Sequence, residues 1–156
     1  MAPRWPLPGW KPVEPFPFAG AARPFKGPAR DHEMLWLEYF VKPDGGLVGV
    51  ASFGPASEGA PGQAHGGAIL TALDEALGAA AWHAGHRVLT ARLSTEFRKS
   101  VPVGAHLLVE TRIKARRHRL VVVAGTLQGE DGEIYAGAEG RFVELAPEHD
   151  RRIFGS

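Results

Sequence analysis

The sequence predicts an α+β fold in which one sheet of about six mostly antiparallel strands is wrapped around one long buried helix. Three observations carry this. The stretch from Gly67 to Trp82 has helix-forming composition and is apolar on nearly every side. Two strand-like runs precede it and four follow. No short glycine-rich turn between a strand and a helix matches a phosphate-binding fingerprint, which disfavours a dinucleotide or P-loop fold. The 156 residues suit a single domain. A chain of this length buries roughly two-thirds of the surface it exposes when unfolded.

The elements follow in order. Eight of the 13 prolines lie in the first 30 residues, interrupted by Trp5, Trp10, Phe16, Phe18 and Phe25. Proline neither continues a helix nor donates to a sheet ladder. Residues 1–33 therefore read as an extended arm, pinned by its aromatics onto the domain or a partner subunit. Residues 34–41 alternate as a strand, Pro43-Asp44-Gly45-Gly46 is a turn, and Leu47 to Phe53 is the return strand of a hairpin. Gly54 to Ala64 has no period and reads as a loop long enough to invite a function. Ala and Leu dominate Gly67 to Trp82, and a helix apolar all round is a buried one. Strands are expected at 88–97, 105–115, 120–128 and 134–145, with a turn at Arg116-Arg117-His118-Arg119. The domain is placed at 34–146, and 147–156 is expected to be a fraying polar tail.

Composition narrows the function. Lys plus Arg number 18 against 17 Asp plus Glu, a net charge of +1. This balance argues against bulk nucleic-acid binding, which shows as a strong basic excess. The absence of cysteine excludes disulfides, zinc–thiolate sites and cysteine nucleophiles. No run approaches 18 uncharged apolar residues, and the start has no signal-peptide core. A cytoplasmic protein without integral membrane contact is the expectation.

Chemistry gathers at the head of the helix. His65 stands at its N-terminus, and Gly66 and Gly67 present backbone amides with no Cβ in the way. Unpaired N–H groups there can hold a developing oxyanion. Asp74 is a carboxylate in a segment expected to be buried, and such a charge needs a partner, water or a task. The plain alternatives are a capping histidine, glycines serving only a turn, and a surface carboxylate. Eight helical steps separate Gly66 from Asp74, or about 12 Å. One carbonyl cannot touch both from a single helix. If both serve one reaction, a second copy supplies one of them, which predicts a two-fold dimer with two equivalent sites.

The stretch His65-Gly66-Gly67 with Asp74 nine residues after the histidine resembles the hotdog-fold acyl-CoA thioesterases. It is most similar to the phenylacetate-pathway and thioesterase-superfamily-member type. The block from Thr90 to Pro102, with its Thr-Ala-x-Leu start and basic residues before a proline, resembles the strand after the helix in that group. The resemblance implies a helix inside a curved antiparallel sheet and a homodimer with sites between subunits, often paired into a homotetramer. It implies hydrolysis of acyl-CoA to free acid and CoA, with no cofactor and no metal. The Gly67 N–H, or that of Gly66, polarises the thioester carbonyl, and His65 orients the thioester or the loop. Asp74 of the other subunit is general base for water or nucleophile, and Thr90 helps position the water. Arg98 and Lys99, and the dense basic run with Arg116 and Arg117, are either solvated surface or contacts to the phosphates of CoA. Two other readings remain: a non-catalytic acyl-CoA or lipid-binding module, and an enoyl-CoA lyase or dehydratase, whose Asp and His arrangement this chain lacks.

Overall fold

A computed structural model describes residues 4–17 and 33–155. Phe18 and Phe25 of the arm lie outside the described residues. The strands are β1 (Lys11–Val13), β2 (Leu35–Val41), β3 (Leu47–Phe53), β4 (Val88–Phe97), β5 (His106–Arg117), β6 (Leu120–Gln128) and β7 (Ile134–Glu144). The helices are α1 (Gly66–His83) and α2 (Pro147–Phe154). The strands form one sheet in the order β1-β2-β3-β5-β6-β7-β4, every pairing antiparallel.

This corrects the expected architecture on three points. The sheet has seven strands rather than about six, there are two helices rather than one, and the sheet stays open with β1 and β4 as its edges. The extra strand was hidden by the prolines of the arm. Lys11-Pro12-Val13 pairs with Tyr39–Val41, and an edge strand tolerates a proline that a central one would not. The expected fraying tail is α2. Its helix signals are end chemistry rather than periodicity: Pro147 in the first turn with Glu148 and Asp150, Arg151 and Arg152 in the last, and Gly155 at φ 80° beyond it. Its anchor is distant in sequence. Arg87 donates from Nε and Nη2 to the two Asp150 carboxylate oxygens at 2.6 and 2.8 Å. That ion pair holds the Asp150 carboxyl below its ordinary value.

The basic turn is also shorter than expected. Arg116 and Arg117 lie on β5, and the turn is the His118-Arg119 pair with His118 at φ 54°. Two-residue hairpins require such positive φ values.

α1 lies against one face of the sheet. Ala72, Leu73, Ala76, Leu77, Ala79 and Ala81 are fully buried. Burying each leucine contributes about 1.5–3 kcal/mol. Close approach depends on Gly125 of β6. A Cβ there would lie 2.7 Å from the Glu110 carbonyl oxygen and 2.7 Å from Leu77 Cδ2. Gly125→Ala is expected to cost about 1–3 kcal/mol through overpacking, read as a lower denaturation midpoint at unchanged m-value. The opposite sheet face carries a second cluster of Phe40, Val48, Val50 and Leu108, against which Trp5 and Trp10 pack. The two indoles stack with centroids 5.6 Å apart. No helix among the described residues is long and apolar enough to cross a membrane.

Candidate active site

The loop before α1 is built to hold His65. Pro55–Ser57 forms a single 3₁₀ turn, and Ser57 is buried with its hydroxyl donating to the Gly54 carbonyl. The His65 N–H donates to the Ser57 carbonyl at 2.6 Å. A Cβ at Gly59 would press on His65 at 3.0–3.1 Å, so the histidine sits directly over that glycine. Ser57 and Gly59 were not foreseen. Their only sequence signal was a glycine-containing loop without period.

His65 is the N-cap of α1. Its Nδ1 accepts the Gly67 N–H at 2.9 Å. An accepting Nδ1 carries no proton in the neutral ring, so the proton of neutral His65 is on Nε2, free to donate. The same bond occupies the Gly67 amide. The Ala68 and Ile69 amides donate to the His65 carbonyl at 2.9 and 3.2 Å. The Gly66 N–H has no acceptor among the described residues. It is exposed, at the positive end of an 18-residue helix. The geometry thus separates the two glycines: Gly67 completes the cap, and Gly66 presents the open donor.

Asp74 is half-buried rather than enclosed. The Thr90 hydroxyl donates to Asp74 Oδ1 at 2.8 Å, and Oδ2 has no hydrogen-bond partner among the described residues. This contact depends on an irregularity in β4. Its register against β7 shifts between Thr90 and Arg92, and such a bulge turns the strand's alternation over. Thr90 then faces α1 together with Leu93, which packs on the core, and Phe97, whose ring lies 3.7 Å from a Cβ built on Gly66. A pocket of about 190 Å³ opens beside Asp74 and Thr90, walled by Gly78, Val88, Leu89 and Phe142.

The basic residues fall into two groups. Arg98 and Lys99 follow Phe97, at the Gly66 end of β4. Arg116 and Arg117 pair with Val121 and Leu120, near the Thr90 end. Lys99 pairs with Glu133 at 2.5 Å, Arg98 with Glu96 at 3.5 Å and Arg116 with Glu144 at 3.2 Å. Arg116, helped by His86, holds Glu144 below its ordinary value against the opposing effect of burial. Arg117 is exposed and has no ion-pair partner among the described residues. Within one chain the two groups lie at opposite ends of a ten-residue strand, about 30 Å long.

A helix start with an open amide, a carboxylate–threonine pair and one sheet against one buried helix define a class, and comparison with known proteins agrees. The chain is similar to the hotdog-fold thioesterases. The profile of the Thioesterase superfamily matches residues 61–136, from the loop before α1 into β7. The acyl-coenzyme A thioesterase THEM4 of Xenopus laevis is 27% identical over 121 residues, covering 75% of this chain and 54% of the relative. THEM5 of Mus musculus is 31% identical over 93 residues, covering 59% and 38%. The chain thus spans about half or less of the length of these curated relatives. Among solved structures, a thioesterase superfamily protein superposes with a TM-score of 0.65 at 28% identity, over 70% of this chain and 54% of the other. The Bacillus halodurans protein BH2602, solved with CoA, gives 0.63 at 26% identity over 70% and 74%.

Proposed function

We propose that this protein hydrolyses acyl-CoA thioesters to the free acid and CoA in a homodimer whose two sites are shared. The observation that carries this reading is the Thr90–Asp74 bond at 2.8 Å beside an apolar pocket, eight helical steps from the open Gly66 amide. Thioester hydrolysis has a good thiolate leaving group. It needs an oxyanion donor and a carboxylate to direct water. Oδ1 of Asp74 is steadied by Thr90, and Oδ2 takes the proton as water attacks the carbonyl carbon. Negative charge then gathers on the carbonyl oxygen, which the Gly66 N–H of the partner copy stabilises with the dipole of its helix. The Nε2–H of the partner copy's His65 is the second donor. Collapse of the tetrahedral adduct expels the thiolate of CoA.

The open edge of β4 supports the shared arrangement. Leu89 and Phe97 on it are 45% and 54% exposed, and a long unpaired edge with apolar side chains favours pairing with another strand. Antiparallel pairing of two β4 strands about their midpoint sets Thr90 opposite Thr95 of the other copy. Phe97, beside Gly66, is then about 7 Å further on. The same pairing brings Arg116 and Arg117 of one copy towards Arg98 and Lys99 of the other, a cationic rim suited to the phosphates of CoA. The relatives named for acyl-CoA hydrolysis and the relative solved with CoA support the substrate class.

The test is thiol release from a panel of acyl-CoAs, with calorimetric binding measured alongside. Turnover supports the reading, and tight binding without turnover across short, long and aromatic acyl groups sinks it. Mixing inactive Gly66→Pro and Asp74→Asn subunits in equal amounts is expected to restore about a quarter of the parent activity. Half of the dimers are then mixed, and one of their two sites keeps both groups. Continued inactivity in demonstrably mixed dimers rules out sharing.

A further inference from the structure

The pocket beside Asp74 and Thr90 is also lined by three aromatic rings drawn from three parts of the chain. Phe16 comes from the N-terminal arm, Trp82 from the last turn of α1 and Phe154 from the end of α2. The Phe16 and Trp82 centroids are 6.2 Å apart, and Phe154 stands edge-on to Trp82 at 5.4 Å. Such contacts contribute beyond the area they bury. Trp82 is fixed by its Nε1–H, which donates to the Val88 carbonyl at 3.2 Å. The Arg87 guanidinium lies 4.9 Å from the Trp82 centroid and 5.4 Å from that of Phe154, while its nitrogens hold Asp150 of α2. One arginine thus ties α2 to the end of α1 and stacks both rings.

We infer that Phe16, Trp82 and Phe154 form a clasp that closes the acyl end of the site and restricts the protein to compact acyl groups. This rests on the proposed thioesterase reading, because the pocket receives an acyl chain only if the thioester carbon sits at Asp74. The size limit comes from volume. A cavity of about 150 Å³ accepts benzene, and this pocket is about 190 Å³. It holds one six-membered ring with a short linker, or a straight chain of about six to eight carbons. A longer chain has to displace Phe16 or Phe154. Both residues lie outside the stretch matched by the superfamily profile, 61–136. The limit is therefore set by this chain's own flanking segments, with Arg87 and Asp150 as positioning residues.

The test compares the parent, Phe154→Ala, Phe16→Ala and the double variant on straight-chain acyl-CoAs from butanoyl to hexadecanoyl. In the parent, kcat/KM rises by up to about fourfold per methylene buried and falls beyond about eight carbons. In the variants the maximum moves to longer chains, furthest in the double variant. Phe154→Leu, which keeps an apolar side chain against Trp82, gives a smaller move and guards against loss of fold. An unmoved maximum in variants that keep the parent's melting transition overturns the clasp. If the parent releases no thiol from any substrate, the thioesterase reading fails instead. Binding of S-alkyl-CoA thioethers then decides the pocket separately. Affinity that levels off at about eight carbons in the parent and continues to rise in the double variant supports the clasp, and identical length profiles overturn it.

Discussion

An Asp74→Asn variant is expected to lose thiol release by about 10²- to 10⁴-fold, the range for removing a positioned acid–base group. Its fold should survive. Asn keeps an oxygen that can accept the Thr90 hydroxyl, and Asp74 is half-buried at a pocket mouth, so the amide gains no enclosed unpaired donor. Binding of a thioether analogue should be nearly unchanged, because the substitution removes a proton acceptor rather than an apolar wall. The measurement is kcat against the analogue's Kd. A fall in kcat at constant Kd places Asp74 in the chemical step. Loss of binding in step with loss of turnover makes it a structural residue and removes the centre of the proposed mechanism.

Gly66→Pro is expected to lower kcat by about 10²- to 10³-fold, the effect of removing one oxyanion donor. Proline is normally a poor probe of a helix, but Gly66 is the first helical position, where the missing N–H leaves no intrahelical bond unmade. The preceding residue must be extended, and His65 already is, at φ −62° and ψ 141°. The substitution therefore deletes the open amide and leaves the helix standing. Gly67→Pro is the companion. It removes the N–H bonded to His65 Nδ1 and costs about 1 kcal/mol of cap stability, with added strain because the residue before it, Gly66, is helical. A larger kcat loss at Gly67 than at Gly66, with both proteins folded, moves the oxyanion donor to Gly67.

The two glycines show how far the sequence reaches. His65-Gly66-Gly67 announces a helix start with exposed amides, yet it does not say which amide stays open. That depends on the His65 ring, which Ser57 and Gly59 hold over the helix end through contacts that carry no local pattern. Thr90 is similar. Its type and place in a strand were legible, but its aim at Asp74 depends on a bulge that has no residue signature here. The six long strands and α1 were legible because side-chain alternation and apolar composition are local properties. β1 was obscured by the proline that an edge strand permits. α2 was obscured because Arg87 and Trp82, which hold it, lie more than sixty residues away.

The sequence by itself determined the buried helix, the alternating strands, the amide-bearing helix start and the mid-helix carboxylate. Each is written in residues within a few turns of one another, where chain geometry leaves little choice. Only the tertiary structure decided which amide is open, that Asp74 is met by Thr90, that the sheet is seven-stranded and open, and that Phe16, Trp82 and Phe154 line one pocket. Those outcomes are contacts between residues far apart in the chain. They are selected by packing and hydrogen bonding across the fold, which no local pattern encodes.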